Sequence, residues 1–165
     1  MKKLNLIIIP FWVLALNACS QGNLKVNNFP TANSYPDSKP NSYWKNILSP
    51  EAYEIMVNKG TEPPFKNPYW NNHKKGIYVS AATGNPLFSS DTKFDSGTGW
   101  PSFFKPIDSK AVKIVRDNSD GIVRDEVVEA STGLHLGHVF DDGPAPTGKR
   151  YCMDSYALKF IPSKN

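Results

Sequence analysis

A chain of 165 residues with 39% hydrophobic and 12% aromatic content carries enough apolar mass for one core, so one domain is expected. Its formal charge is +4, and two of those units come from Lys2 and Lys3 at the extreme N-terminus. The remainder is too near neutral for the basic footprint of a nucleic-acid binder or of polybasic membrane attachment.

Lys2 and Lys3 precede an apolar run from Leu4 to Leu16, followed by Asn17-Ala18-Cys19. The positive start and short apolar stretch predict an export signal over residues 1–18, too short to span a bilayer comfortably. Leu16-Asn17-Ala18-Cys19 resembles the lipobox of bacterial lipoproteins, in which the cysteine is acylated and becomes the new N-terminus. Cys19 is then the lipidation site, and the protein is an exported lipoprotein held at a membrane, periplasmic or on the cell surface. Plain cleavage after Ala18 and an uncleaved anchor are the alternatives. Residues 19–42 are rich in Asn, Ser and Pro without a hydrophobic period, and they read as a tether. As a flexible coil such a segment would reach on the order of 25–30 Å.

The folded domain is expected over residues 43–165. Ser49, Pro50 and Glu51 supply a cap, a first-turn proline and an early acid, and Gly60 supplies a stop. Tyr53, Met56 and Val57 fall on one face of the short helix between them. Thereafter the pattern is β: strands are predicted over residues 76–80, 134–140 and 151–161. A hairpin of residues 111–116 and 122–130 turns through Asn118-Ser119-Asp120-Gly121. The fourteen prolines and eleven glycines agree with short elements and many turns.

Cys152 is the one thiol left if Cys19 is blocked. A lone cysteine is usually a small core residue. Its neighbours argue otherwise: in an extended segment Arg150, Cys152 and Asp154 share one face, and a guanidinium beside a thiol favours the reactive thiolate. His135 and His138 would point to opposite faces of a regular strand. Either a bulge at Gly137 brings both to one side, or one histidine is functional and the other structural. Two histidines without further ligands make a metal site a poor fit. Asp141 and Asp142 read first as turn residues, with orientation of a histidine as a second role. Trp100, on a glycine-flanked loop, is either a core aromatic or a face for a sulfur that becomes partly cationic. Thiolate, arginine, histidine and tryptophan suit two chemistries: Cys–His acyl transfer, or sulfoxide reduction with an acid protonating the departing oxygen.

Three segments carry a family resemblance: Gly99-Trp100-Pro101-Ser102-Phe103, the run His135-Leu136-Gly137-His138-Val139-Phe140-Asp141-Asp142-Gly143-Pro144, and Arg150-Tyr151-Cys152. They resemble the methionine-R-sulfoxide reductases, the B-type family. The match extends through Gly60-Thr61-Glu62-Pro63-Pro64-Phe65 and Thr92-Lys93-Phe94-Asp95-Ser96-Gly97 and covers residues 43–162, in order. The resemblance implies a mainly β fold of two antiparallel sheets with short N-terminal helices. It further implies reduction of methionine (R)-sulfoxide, in peptides or free, to methionine, through a sulfenic acid on Cys152. By the same resemblance His138 donates a proton, His135 and Asp142 support the site, and Arg150 favours the thiolate. Trp100 holds the substrate methyl group, with Phe140 and Asp154 beside the substrate.

The chain departs from the family in three places. Many members bind zinc through two Cys-x-x-Cys pairs, whose positions here read Ser80, Thr83, Glu129 and Thr132, so no metal or other cofactor is expected. Some members carry a resolving cysteine where this chain has Thr98, so the sulfenic acid would be reduced by an external thiol or a thioredoxin-like donor. The family usually places asparagine at Asp154; a carboxylate there opposes Arg150 and is predicted to pair with Arg150 or a histidine. A monomer is expected. A Cys–His hydrolase, or a binding module that retains only the fold, are the competing functional readings.

Overall fold

The computed structural model of the chain describes residues 35–164; the predicted leader, Cys19 and most of the predicted tether lie outside the described residues. Two helices come first, α1 (Asn41–Ile47) and α2 (Pro50–Met56). Nine strands follow: β1 (Gly76–Ser80), β2 (Pro86–Ser89), β3 (Lys93–Phe94), β4 (Ser102–Phe103), β5 (Val112–Asp117), β6 (Arg124–Glu129), β7 (His135–Phe140), β8 (Arg150–Met153) and β9 (Leu158–Pro162). They form two antiparallel sheets, ordered β2-β1-β9 and β3-β4-β8-β7-β6-β5. The fold is thus mainly β with two short N-terminal helices, as the resemblance implies.

Helix α2 starts where its cap predicts. Ser49 Oγ accepts from Ala52 N at 3.1 Å, Pro50 occupies the first turn, and Ala52, Ile55 and Met56 are buried. Its exit differs from expectation: Lys59, at φ 60°, takes the left-handed conformation rather than Gly60. That turn carries Lys59 toward β6, where its Nζ lies 2.8 Å from Glu126 Oε2.

The folded body reaches further back than residue 43. Helix α1 begins at Asn41 and buries Trp44; Pro40 precedes it without a side-chain cap, so no capping pattern announces it. Tyr35 packs over Gly133, Lys113 Nζ sits 4.7 Å from the Tyr35 ring, and Asp37 N donates to Ser131 O at 2.8 Å. A polar composition averaged over the segment conceals one aromatic that docks.

The core joins the two sheets through aromatic rings. Phe88 of β2 stacks on Phe103 of β4 at 4.5 Å, and Tyr78 of β1 meets Phe103 edge-on at 5.0 Å. All three are fully buried, with Leu87, Leu136 and Met153 around them. The strand expected over residues 151–161 is two strands: a 3-10 turn at Ser155–Ala157 separates β8 from β9 and moves the chain between sheets. The strand expected over 122–130 starts only at Arg124, leaving Ile122 and Val123 exposed at the hairpin tip.

Candidate active site

Strand β8 runs between β4 and β7, so Cys152 faces Ser102 on one side and His138 on the other. Directly opposed residues on antiparallel strands have neighbouring side chains. Tyr151 and Met153 turn inward, Tyr151 against Phe88 and Met153 into the core. Cys152 and Asp154 therefore face the other way, as alternation predicts. They lie in a cleft of about 240 Å³ walled by Trp100, His135, His138 and Phe140, with Lys59, Thr61 and Arg124 beside them.

The two histidines reach this cleft together because the strand bulges. Val127 pairs with Gly137 but Val128 pairs with His135, which leaves Leu136 as the extra residue. Gly137 has φ 147°, and a Cβ there would stand 2.2 Å from the Cys152 carbonyl oxygen, so glycine is required. The imidazole centroids are 5.3 Å apart. Of the two sequence readings, the bulge holds.

His135 is 3% exposed, with Nδ1 2.8 Å from Glu126 Oε1 and Nε2 3.4 Å from Asp154 Oδ2. Burial opposes its charged form, but the contacts with Asp154 and Glu126 outweigh it and raise its pKa. A carboxylate at each ring nitrogen suits an imidazolium. His138 Nε2 lies 3.0 Å from Asp117 Oδ2, which also accepts from Arg124 Nη2 at 3.2 Å. The His138 contact is the foremost reason that the Asp117 carboxyl sits well below the usual carboxylate range.

At Cys152 the expected pull of Arg150 toward the thiolate is present but is opposed by burial. Burial pushes its pKa up; the Thr98 hydroxyl, 3.8 Å from Sγ, and Arg150 pull it down without offsetting that rise, and Asp154 adds to it. The resting thiol is protonated at neutral pH, despite Arg150. The arginine is itself engaged: Asp142 accepts from its Nε at 2.8 Å and its Nη2 at 2.9 Å, and its guanidinium stacks over Phe140 at 4.3 Å. Asp142 thus steadies Arg150, not a histidine. Asp154 pairs with His135 rather than Arg150, and its Oδ1 accepts from Thr61 Oγ1 at 2.6 Å. Trp100 lines the cleft, its Nε1 donating to Glu62 O at 3.1 Å, so it is not a core ring.

Sequence reasoning missed Lys59, Thr61, Asp117 and Glu126. A signal existed for Glu126: two acids, Glu126 and Glu129, flank Val127 and Val128 in a strand whose four last residues are all buried. Buried carboxylates need partners.

Glu129 shows what stands at the family's zinc positions. Its oxygens accept from Ser80 Oγ at 3.0 Å, Thr83 Oγ1 at 2.5 Å, Thr132 Oγ1 at 2.9 Å and Asn85 Nδ2 at 3.3 Å. Three hydroxyls already donating to one carboxylate lack the thiolate or imidazole ligands zinc requires, so these residues do not fit the metal.

The SelR domain family matches residues 48–162. The chain is 51% identical over 125 residues to the peptide methionine sulfoxide reductase MsrB of Agrobacterium fabrum, covering 76% of this chain and 93% of that protein. The MsrB of Methanosarcina barkeri is 54% identical over 122 residues, 74% of this chain and 86% of its own length. For Thiobacillus denitrificans MsrB the values are 49% over 129 residues, 78% and 98%. The matched span contains the cleft and every residue around Cys152, and the chain belongs to the SelR-domain, methionine sulfoxide reductase B family.

Proposed function

We propose that this protein reduces methionine (R)-sulfoxide, in proteins or peptides, to methionine through a sulfenic acid on Cys152, without zinc. The observation that carries this is Cys152 in a cleft between Trp100 and His138. The Cys152 sulfur attacks the sulfoxide sulfur, and the S–O bond breaks as oxygen passes to Cys152. Thiol plus sulfoxide gives sulfenic acid plus thioether; two electrons move from the cysteine sulfur to the substrate sulfur. The protonated resting thiol supplies the one proton needed, which His138 carries to the sulfoxide oxygen. The His135 imidazolium stabilises negative charge gathering on that oxygen. The Trp100 face accepts the methyl group and the partly cationic sulfur, with Phe140 as the adjoining wall.

Regeneration falls to an external thiol or a thioredoxin-like donor. One thiol displaces water from the sulfenic acid, and a second releases Cys152 from the mixed disulfide. With a lipid on Cys19, repair takes place outside the cytoplasm at a membrane, by a monomer. Separated epimers with a dithiol reductant test the reaction: the R epimer is expected to be consumed and the S epimer left. Hydrolysis of esters or peptides without reductant would instead establish the Cys–His hydrolase.

Thr98→Cys offers a sharper test of the intermediate. Thr98 Oγ1 lies 3.8 Å from Cys152 Sγ, so a thiol there needs a small loop shift to reach bonding distance. After one turnover without reductant, mass spectrometry is expected to show an internal disulfide in this variant and a dimedone-trappable sulfenic acid in the parent. An unmodified Cys152 in both would refute the intermediate.

A further inference from the structure

Behind the cleft lies a chain of charged groups that the reaction above does not use in full. Lys59 meets Glu126, Glu126 meets His135, and His135 meets Asp154. Glu62 ends the chain: it is 5% exposed and does not line the cleft. Its Oε1 accepts from Ser155 N at 2.5 Å, while its Oε2 is fully buried and has no hydrogen-bond partner among the described residues. Thr61, next to Glu62, donates to Asp154, and Ser155, next to Asp154, donates to Glu62, so the two carboxyls are neighbours.

Two facts constrain the protons. A buried carboxylate oxygen without a donor is costly, and two ionised carboxylates side by side cannot both be stable out of water. The cations are also spent: Lys59 and the His135 imidazolium balance Glu126 and Asp154. A third ionised carboxyl would stand uncompensated. Putting a proton on Glu62 Oε2 solves both problems, since the orphan oxygen becomes a donor with Asp154 as its acceptor.

We propose that Glu62 and Asp154 form a proton-sharing acid pair, the proton resting on Glu62 Oε2, which holds Asp154 in place as the anchor of the His135 imidazolium. Glu62 is a positioning residue: it acts on the substrate oxygen only through Asp154 and His135. The pair belongs to this chain because Asp154 stands where the family usually has asparagine, whose amide could donate to an ionised Glu62 instead. The groups that face Glu62 divide, and those that raise its pKa prevail. Burial raises its pKa first and Asp154 second, against the Ser155 amide, and the result is about 8. In turn the pair loses its proton as pH rises through that value, and Asp154 is then repelled from its seat beside His135.

The linkage has a definite sign. Unfolded Glu62 ionises near 4.5 and folded Glu62 near 8, so folding takes up a proton between them. The stabilisation is fully present below about 4.5 and is lost as pH rises through about 8.

It rests on the reductase site only in its kinetic arm, because infrared spectroscopy reads the proton without turnover. At pH 6.5 the protein is expected to show a carbonyl stretch of a buried protonated carboxyl, shifted in heavy water and missing in Glu62→Gln. Asp154→Asn should move the loss of that band to lower pH. Glu62→Gln keeps a donor to Asp154, so its rate with methionine sulfoxide at pH 6.5 should stay within about threefold of the parent. Its alkaline decline in rate and in melting temperature should flatten, whereas Glu62→Ala should lose at least tenfold in rate. Absence of the band at pH 6.5, its survival in Glu62→Gln, or an unchanged pH profile in that variant would each overturn the acid pair. Loss of sulfoxide turnover with the band intact would count against the reductase reading alone.

Discussion

Cys152→Ser is expected to lower reductant-dependent turnover of methionine sulfoxide by on the order of 10⁴-fold or more, with the fold intact. A serine hydroxyl is a far poorer nucleophile than a thiol and cannot take up the sulfoxide oxygen as a sulfenic acid. The change removes little packing, because Cys152 is only partly buried and its cleft walls come from β7 and the Trp100 loop. The melting temperature should therefore move by no more than a few degrees, the shift expected for about 1 kcal/mol in a domain of this size. Substrate binding should also persist, since Trp100, Phe140 and both histidines remain. Turnover above about 1% of the parent would place the nucleophile elsewhere. Binding without turnover in the parent itself would favour the module that kept only the fold.

Glu129→Ala should do the reverse, costing stability without touching the cleft. The substitution strips the acceptor from Ser80, Thr83, Thr132 and Asn85 together, and it leaves a void at a residue only 1% exposed. Buried donors left unpaired cost about 1–3 kcal/mol each, although rotating hydroxyls recover part of it. A net loss of about 3 kcal/mol is expected, roughly 10 °C in melting temperature. Glu129→Gln keeps one acceptor oxygen and should lose less. Chelator treatment of the parent should leave the transition unchanged, because a carboxylate with three hydroxyls holds this corner and lacks the thiolate or imidazole ligands of a zinc site. A chelator-induced drop of several degrees would refute that account.

The pairing of these positions shows how hydrogen bonds alone join two elements here. Ser80 ends β1 and Thr83 lies in the turn after it, while Glu129 ends β6 and Thr132 follows in the next turn. The cluster therefore ties one sheet to the other, as a shared ion would. Unlike a metal, it needs no loading.

Much of the site was legible because its information is local. The α2 start depends on Ser49 and Pro50 alone, and the shared face of Cys152 and Asp154 depends on strand alternation alone. The ordered motifs around Trp100, His138 and Cys152 marked residues that the fold brings into one cleft. The strand break at Ser155–Ala157 was not legible: residues on both sides read as extended, and only their membership of different sheets separates them.

Sequence by itself thus determined the candidate residues and the class of fold that presents them, since motif order and periodicity are properties of neighbours along the chain. Only the tertiary structure decided their charges. The Leu136 bulge brought His135 beside His138, burial outweighed Arg150 at the Cys152 thiol, and Asp154 took His135 rather than the arginine four residues away. Protonation depends on solvent exclusion and on partners brought from distant segments, and neither is written in the spacing of residues.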